Sequence, residues 1–169
     1  MTQAPDDSAE MLRALQDLRI GLEIVTERVA KASRLNPRDL GVLDVLHTAG
    51  PATPSTIASR TGIAPTTVAA ILTRLERDGR IDRRPNPEDA RSSLLAIADD
   101  TGRELTRLYE GLNNEFARTI TALTTAERTT ITGFLQDLST TIHRFPHFGP
   151  VRQGSARSEA GEGDSASRA

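Results

Sequence analysis

The spacing of the apolar residues changes at Gly79, and this change constrains the fold more than any other feature of the sequence. Before this glycine, one apolar stripe has the three-to-four-residue spacing of an amphipathic helix: Val68, Ile71, Leu72 and Leu75. After it, apolar residues fit two short strands on either side of a Pro85-Asn86-Pro87 turn: Ile81, Leu95 and Ile97. A helix that leads directly into a β-hairpin is therefore predicted.

A second short helix is predicted just before this one. Thr53 is a suitable N-cap with Pro54 in the first turn, and Gly62 can take the left-handed conformation that ends a helix. Ala64-Pro65 then opens the next helix, which Gly79 ends. Two short helices joined by a tight glycine turn are typical of a helix-turn-helix, although a helical hairpin within a bundle has the same pattern. The hairpin that follows favours a winged helix-turn-helix.

Longer helices are predicted on both sides of this module. The first runs from Ser8 to about Ser33, and its apolar stripe is Leu12, Leu15, Leu18, Leu22, Val25 and Val29. Asn36-Pro37 caps and starts a helix that ends near Gly50. After the hairpin, Asp99 or Asp100 is predicted to cap a long helix with the stripe Leu105, Leu108, Leu112, Phe116 and Ile120. Thr124 and Glu127 form a capping box for a last helix with the stripe Ile131, Phe134, Leu135, Leu138 and Ile142.

The predicted fold class is mostly α with a small β-hairpin wing, which is α+β by strict count. The winged module occupies residues 37–99, and a helical layer occupies 8–36 and 100–148. Residues 1–7 and the Gly-, Ser- and Ala-rich tail 149–169 are expected to be disordered. The stripes of the helical layer fit either a dimer that buries them between two chains or a monomer in which three helices pack together.

Composition excludes several classes of function. The chain has no cysteine, so thiol catalysis, disulfides and thiol-based sensing are absent. No apolar run is long enough to span a bilayer and the first residues are acidic, so we expect a soluble cytoplasmic protein. The net charge of −2 gives no argument for nucleic acid from the chain as a whole. Of the 21 cationic residues only Lys31 is lysine, which reflects a GC-rich genome more simply than a preference for phosphate.

No catalytic or metal-binding pattern is present. His143 and His147 have a metal-ligand spacing, but Pro146 interrupts the helix between them and no third ligand is evident. The acidic pair Asp99-Asp100 is explained by helix capping and the helix dipole. There is no glycine-rich phosphate loop or nucleophile motif, so we expect neither an enzyme nor a cofactor.

The segments together resemble the MarR family of bacterial transcriptional regulators, from about Leu12 to Ile142. The most specific match is the run LERDGRIDR at 75–83, followed by NPEDAR at 86–91, which contains the Asp-x-Arg wing. The chain departs from the family pattern at ADDTG, 98–102, and at Arg80, where an apolar residue is usual. The resemblance implies a DNA-binding homodimer that acts as a transcriptional repressor.

The helix from Pro65 is the expected recognition helix, because helix-turn-helix proteins place their second helix in the major groove. Its predicted DNA-facing residues are Pro65, Thr66, Thr67, Ala70, Thr73, Arg74 and Arg77. Thr66 and Thr67 can bond phosphates or base edges, or can merely cap the helix. Ser55 and Thr56 are further candidates for phosphate contacts.

The hairpin is the expected wing, with DNA contacts predicted for Arg84, Asp89 and Arg91. Asp89 is predicted to hold and orient an arginine through a charge-assisted bond, so that the guanidinium of Arg91 enters the minor groove. The alternative is a surface ion pair without function. Arg83 is expected to hold a phosphate or to brace the strand.

A symmetric dimer would prefer an inverted repeat with half-sites about one helical turn apart. The resemblance also implies a small aromatic or anionic effector, in a cleft that involves Arg19, Arg34, His47 and the region around Leu40. The competing hypothesis is a winged-helix module that binds proteins and pairs its arginines internally.

Overall fold

The computed structural model describes residues 7–89 and 91–144. These form six helices and one antiparallel hairpin, and their order agrees with the prediction: α1 Asp7–Ala32, α2 Pro37–Ala49, α3 Pro54–Thr61, α4 Pro65–Arg77, β1 Ile81–Pro85, β2 Ser93–Ile97, α5 Asp99–Thr121 and α6 Thr125–Arg144. The mostly helical fold with a small β wing is therefore confirmed. The tail predicted to be disordered lies outside the described residues, and so do residues 1–6.

Side-chain caps mark the start of three of the six helices in the described residues, α2, α3 and α6. The side chain of Asn36 accepts a hydrogen bond from the N–H of Asp39 at 3.0 Å, and Thr53 accepts one from the N–H of Thr56 at 3.2 Å. Each cap is followed by a proline at the first helical position, where its missing N–H costs nothing. Thr124 and Glu127 exchange the two bonds of the predicted capping box.

Two glycines end helices as predicted because they have positive φ. Gly62 follows α3 at φ 67° and donates its N–H to Ala58. Gly79 follows α4 at φ 67°, where the N–H of Arg80 then reaches the carbonyl of Leu75 at 2.8 Å. The turn after Gly62 directs α4 across α3, and the turn after Gly79 leads the chain into the hairpin.

The hairpin pairs Ile81 with Ile97 and Pro85 with Ser93. Ala52, just before α3, forms a further antiparallel bridge with Leu95 through bonds of 3.0 and 2.9 Å. This bridge, which was not predicted from the sequence, attaches the wing to the start of the helix-turn-helix.

The start of α5 corrects the prediction that Asp99 or Asp100 caps the helix. The cap residue is Ala98, without a side-chain hydrogen bond, and both aspartates lie in the first turn. The N–H of Ala98 bonds to the carbonyl of Arg80 at 3.0 Å, so the chain stays paired with the hairpin up to this residue. The helix begins immediately afterwards, where the two carboxylates still interact favourably with its dipole.

The hydrophobic core lies beneath the helix-turn-helix and the hairpin. Its members are almost inaccessible to water and come from every element except α6: Val29, Ala30, Leu40, Val42, Leu43, Leu46, Ala52, Ile57, Val68, Ile71, Leu72, Leu75, Ile81, Leu95 and Leu105. The predicted stripe of α4 is buried in full. In contrast, α1 and α5 contribute only their ends next to this core, and α6 has no buried residue. None of the helices in the described part of the chain is long and apolar enough to cross a membrane.

Candidate nucleic-acid interface

Helix α4 presents a polar face opposite its buried stripe. Pro65, Thr66, Ala70 and Arg77 are exposed, and Thr67 is half-buried. The cap residue of α4 is Ala64, without a side-chain hydrogen bond. Thr66 and Thr67 are therefore not caps, and within the described residues their hydroxyls have no hydrogen-bond partner. These hydroxyls are therefore available to a ligand. They lie in the first turn of α4, which is the end of a recognition helix that enters a DNA groove.

Ser55 and Thr56 lie at the start of α3 and are both exposed. Their hydroxyls each lie 2.9 Å from the hydroxyl of Thr53, the cap of the same helix. The three hydroxyls thus form one small cluster at the N-terminus of α3. A hydroxyl can donate and accept at the same time, so this cluster leaves capacity for a further acceptor such as a phosphate oxygen.

Arg74 differs from the sequence prediction, which left its guanidinium free to reach DNA. Its Nε donates to Oδ2 of Asp39 at 2.9 Å, and its Nη2 donates to Oδ1 of the same carboxylate. This bond and the charge of Asp39 raise the pKa of Arg74 above its ordinary value. Arg74 is thus directed by a carboxylate on α2, 35 positions away in sequence.

Arg77 and Arg84 are the exposed cations on either side of Gly79. Nε of Arg77 donates to the neighbouring Asp78 at 3.0 Å, and its side chain remains 73% exposed. Arg84 lies 3.8 Å from Asp82, and both side chains are 58% exposed. Ion pairs this exposed are worth little and rearrange at small cost. Both guanidinium groups are therefore available to an anionic partner.

The wing tip is held by bonds between side chains and the backbone. Nδ2 of Asn86 donates to the hydroxyl of Ser92 at 2.7 Å, and Oδ1 of Asn86 accepts the N–H of Glu88 at 3.0 Å. Asp89 accepts the backbone N–H of Arg91 at 2.9 Å, and its carbonyl accepts the N–H of Ser92 at 3.0 Å. These local bonds are those of an Asx-type turn, and they fix the tip without help from the rest of the fold.

The predicted bond between the carboxylate of Asp89 and the guanidinium of Arg91 is wrong. Asp89 binds the backbone of Arg91 because a carboxylate two residues before an N–H in a turn reaches that N–H first. Asp89 therefore orients the turn, and within the described residues the guanidinium of Arg91 has no hydrogen bond or ion pair. It is therefore free to bind a ligand without first giving up an ion pair, as Arg84 would have to do.

Arg83 braces the wing on α4, which was one of the two roles predicted for it. Its guanidinium contacts Glu76 at 3.1 to 3.3 Å and donates to the hydroxyl of Ser93 at 2.7 Å. Arg80 makes a similar junction at the other end of the hairpin, where it donates to Glu104 of α5 and, at 3.1 Å, to the carbonyl of Ser33. This junction was not predicted from the sequence, although a charged residue at a usually apolar position was its signal.

The residues expected to line an effector cleft do not converge. Arg19 pairs with Glu23 at 2.6 Å and lines an open groove between α1 and α6, whereas Arg34 is exposed at the α1–α2 turn with a positive φ of 57°. Leu40 is fully buried. His47 faces α5, with its Nε2 3.4 Å from the hydroxyl of Thr106.

Two further residues join α2 to α5 close to His47. The hydroxyl of Tyr109 donates to Asp44 at 3.1 Å. Burial raises the pKa of Asp44, while the bond from Tyr109 and the charge of His47 act in the opposite direction. Burial, together with the charge and hydrogen bond of Asp44, also raises the pKa of Tyr109. The phenol is therefore neutral near pH 7 and serves as a hydrogen-bond donor.

His143 completes the account of the histidines. Its Nδ1 lies 2.7 Å from the carbonyl of Ser139 within α6. The second histidine of the spacing considered for a metal, His147, lies outside the described residues.

A helix-turn-helix with a β-hairpin attached to its second helix defines a winged helix-turn-helix protein. The MarR family model matches residues 35–93, the segment that contains α2, α3, α4 and most of the hairpin. The winged region of this chain is thus similar to the MarR family.

Individual proteins are also similar to this chain. The chain is 30% identical over 87 residues to YcgE of Bacillus subtilis, named an uncharacterized HTH-type transcriptional regulator; the match covers 52% of this chain and 56% of that protein. It is 29% identical over 101 residues to the HTH-type transcriptional repressor IacR of Pseudomonas putida, which covers 60% of each. The aligned segments thus span less than two thirds of both relatives. Among solved structures, NadR in complex with 4-hydroxyphenylacetate is similar to this chain, with a TM-score of 0.62 at 18% identity. The match covers 82% of this chain and 97% of the NadR chain, and it supports the fold.

Proposed function

We propose that the protein is a sequence-specific DNA-binding transcriptional regulator. The observation that carries this proposal is that α4 and the wing both present ligand-free donors: the hydroxyls of Thr66 and Thr67 and the guanidinium of Arg91. Hydroxyls and methyl groups at the start of a recognition helix suit base edges in the major groove. A free arginine on a wing suits the narrow minor groove, where the negative potential is enhanced.

Selection of binding sites from a random DNA library tests this proposal. We expect an enriched motif, and fluorescence anisotropy should then give an affinity for that motif about 10³-fold or more above the affinity for unrelated DNA at the same salt concentration. The competing function, a module that binds proteins only, predicts no enriched motif and no retention on heparin or random DNA at low salt.

We also propose that the regulator is a homodimer formed by α1, α5 and α6, the helical layer of residues 8–36 and 100–148. The supporting observation is the apolar surface that one chain leaves exposed on these helices, including Ile120 at 52% and Ile142 at 71%. A monomeric soluble protein rarely exposes contiguous apolar surface on this scale. Sedimentation equilibrium should give a mass close to twice that of the chain, and the selected DNA motif should be an inverted repeat. A monomer at micromolar concentration would contradict both expectations.

Repression is the proposed mode of regulation, because the relative IacR is named a repressor. A reporter gene under a promoter that contains the selected motif should be more active when the protein is absent. Lower reporter activity in the absence of the protein would instead identify an activator.

A small aromatic or anionic effector is proposed to release the DNA. The polar groups between α2 and α5, Asp44, His47, Thr106 and Tyr109, support this proposal because they lie where the DNA-binding module meets the helical layer. The structure of NadR contains 4-hydroxyphenylacetate, so this compound is a suitable first probe. We expect it to raise the thermal midpoint and to lower the affinity for the selected DNA; neither change would be seen if this anion is not an effector.

A further inference from the structure

Asp39 is the one acidic residue among the buried polar side chains of the described chain. It lies in the first turn of α2, is 3% exposed, and has its backbone N–H held by the cap residue Asn36. Both of its carboxylate oxygens accept bonds from Arg74. A carboxylate bound by two nitrogens of one guanidinium fixes the plane of that group as well as its position.

Arg74 is only half-covered by this contact. Its side chain remains 41% exposed, and it projects from the same side of α4 as Thr67 and Ala70. A guanidinium has five N–H donors, and Asp39 takes two of them. The remaining donors have no acceptor in the described part of the chain, so the carboxylate holds Arg74 in place and leaves one edge of it free.

Arg74 also lines a recess between α4 and the start of α2. The recess is lined by Asn36, Pro37, Arg38, Thr67, Ala70, Ile71 and Arg74. Arg38 on its rim is exposed, so two arginines from two helices border one concave surface. A recognition helix meets the bases mainly through its N-terminal residues, whereas Arg74 lies in the third turn, beside a second helix. A phosphate of the DNA backbone is therefore the group that this position fits.

We propose that Asp39 is a positioning residue, which holds Arg74 so that its free edge binds one phosphate at a fixed place in the operator complex. This inference rests on the proposed DNA-binding function. Phosphate contacts set the register of a protein on the duplex. An arginine that is already held loses less conformational freedom on binding than a mobile one. The neighbouring carboxylate weakens the attraction of this guanidinium to every phosphate, so the advantage of the operator phosphate has to come from orientation.

The substitution Asp39→Asn separates positioning from simple attraction. It keeps the size of the side chain, removes its charge and releases Arg74. We expect affinity for the selected operator to fall about tenfold, in the range of one well-oriented contact, while affinity for unrelated DNA stays the same or rises. The quantity to measure is the ratio of the two affinities, by anisotropy at one salt concentration. A purely structural role lowers both affinities together through loss of folded protein and leaves their ratio unchanged.

Asp78→Asn is the matched control. It also removes one negative charge beside an arginine of α4, but Asp78 is exposed and contacts Arg77 through a single bond. We expect the ratio of affinities to stay within about twofold of the wild type, since exposed pairs contribute little. An equal fall of the ratio in both variants would show that net charge alone matters and would overturn the proposal.

Arg74 provides a second route if Asp39→Asn does not fold. Arg74→Lys keeps the positive charge but not the two-pronged geometry, so it should lower the ratio in the same direction. In the background Arg74→Ala, adding Asp39→Asn should cause no further fall. An unchanged ratio in Arg74→Lys, or a further fall in the double variant, would refute positioning through Arg74.

Neutral methylphosphonates placed singly along the operator identify the contact. One position should weaken the wild-type protein but not Arg74→Ala. If no phosphate behaves in this way and Arg74→Ala instead tolerates a changed base pair, the phosphate assignment is wrong. A wild-type protein that selects no motif would refute the proposed function itself, whereas a wild type with a motif and an unchanged ratio in Asp39→Asn would refute only the role of Asp39.

Discussion

The helix-turn-helix region and the three long helices α1, α5 and α6 differ in how far their apolar residues are buried within one chain. In the first region Leu40, Ile57 and Leu95 are fully buried within one chain. In the second, α6 buries none of its residues, and its apolar side chains include Phe134 at 38% exposed and Ile142 at 71%. The winged region therefore completes its own core, whereas the helical layer leaves apolar surface exposed, which the proposed homodimer would bury. Stability and assembly should depend on different residues.

The largest effect is expected in the completed core. Leu72 is 2% exposed in α4, and Leu72→Ala should lower the free energy of unfolding by about 2–5 kcal/mol, because it removes buried methyl groups and leaves a cavity. Urea unfolding followed by circular dichroism measures this loss at two protein concentrations, and the loss should be the same at both. Ser59→Ala, at an exposed position of α3, should change the value by no more than about 0.5 kcal/mol. A loss below that of the control would show that the core is not completed by one chain.

Substitutions in the helical layer should mainly change the dissociation constant of the dimer. Leu135 is 49% exposed on α6, and in a dimer that buries it Leu135→Ala should weaken association by about 1–3 kcal/mol. Sedimentation equilibrium should show a dissociation constant raised roughly tenfold or more. Where this variant is partly monomeric, its urea unfolding should depend less on protein concentration than that of the wild type, because association adds less to its stability. A dissociation constant unchanged by this substitution would place the dimer interface elsewhere.

Two arginines of the wing provide the same kind of contrast on a smaller scale. Arg91 has no partner in the described chain, so Arg91→Ala should weaken operator binding by about 1–3 kcal/mol and reduce the slope of log affinity against log salt by about one. Its free energy of unfolding should stay within about 0.5 kcal/mol of the wild type. Arg83→Ala removes the brace to Glu76 and Ser93 and should cost about 0–1 kcal/mol of stability. An unchanged salt slope in Arg91→Ala would remove this residue from the DNA interface.

Sequence predicted the features whose causes are local. Asn36, Thr53 and Gly62 act within three or four residues of themselves, so their types and positions were sufficient to place the helix ends. The buried stripe of α4 followed from helical spacing in the same way. The wing was predicted because a turn signal separates two short runs of strand-forming residues.

Contacts between distant segments were not predictable in this way. Arg74 and Asp39 are 35 positions apart, and Arg80 and Glu104 are 24 apart. Which carboxylate an arginine meets depends on how the helices pack, and each arginine had several acidic candidates. Ala98 became the cap of α5 for a similar reason, since its pairing with Arg80 outweighed the capping preference of the aspartate that follows. The orientation of a cation is thus the part of a site that sequence determines least.

The smallest expected effect on the free energy of unfolding is at the junction between the winged region and the helical layer. Asp44 of α2 accepts a hydrogen bond from the hydroxyl of Tyr109 of α5. Burial raises the pKa of Asp44 above the ordinary value of 3.8. An acid whose pKa is raised by folding contributes its full stability below the unfolded pKa and loses it as pH rises through the folded pKa. Asp44→Asn cannot ionise and does not undergo this loss. The difference in free energy of unfolding should therefore shift in favour of the variant between about pH 3 and pH 7, in a series of urea titrations. A difference that is constant with pH, or that shifts in favour of the wild type, would show that Tyr109 and His47 offset the cost of burying this carboxylate at the junction.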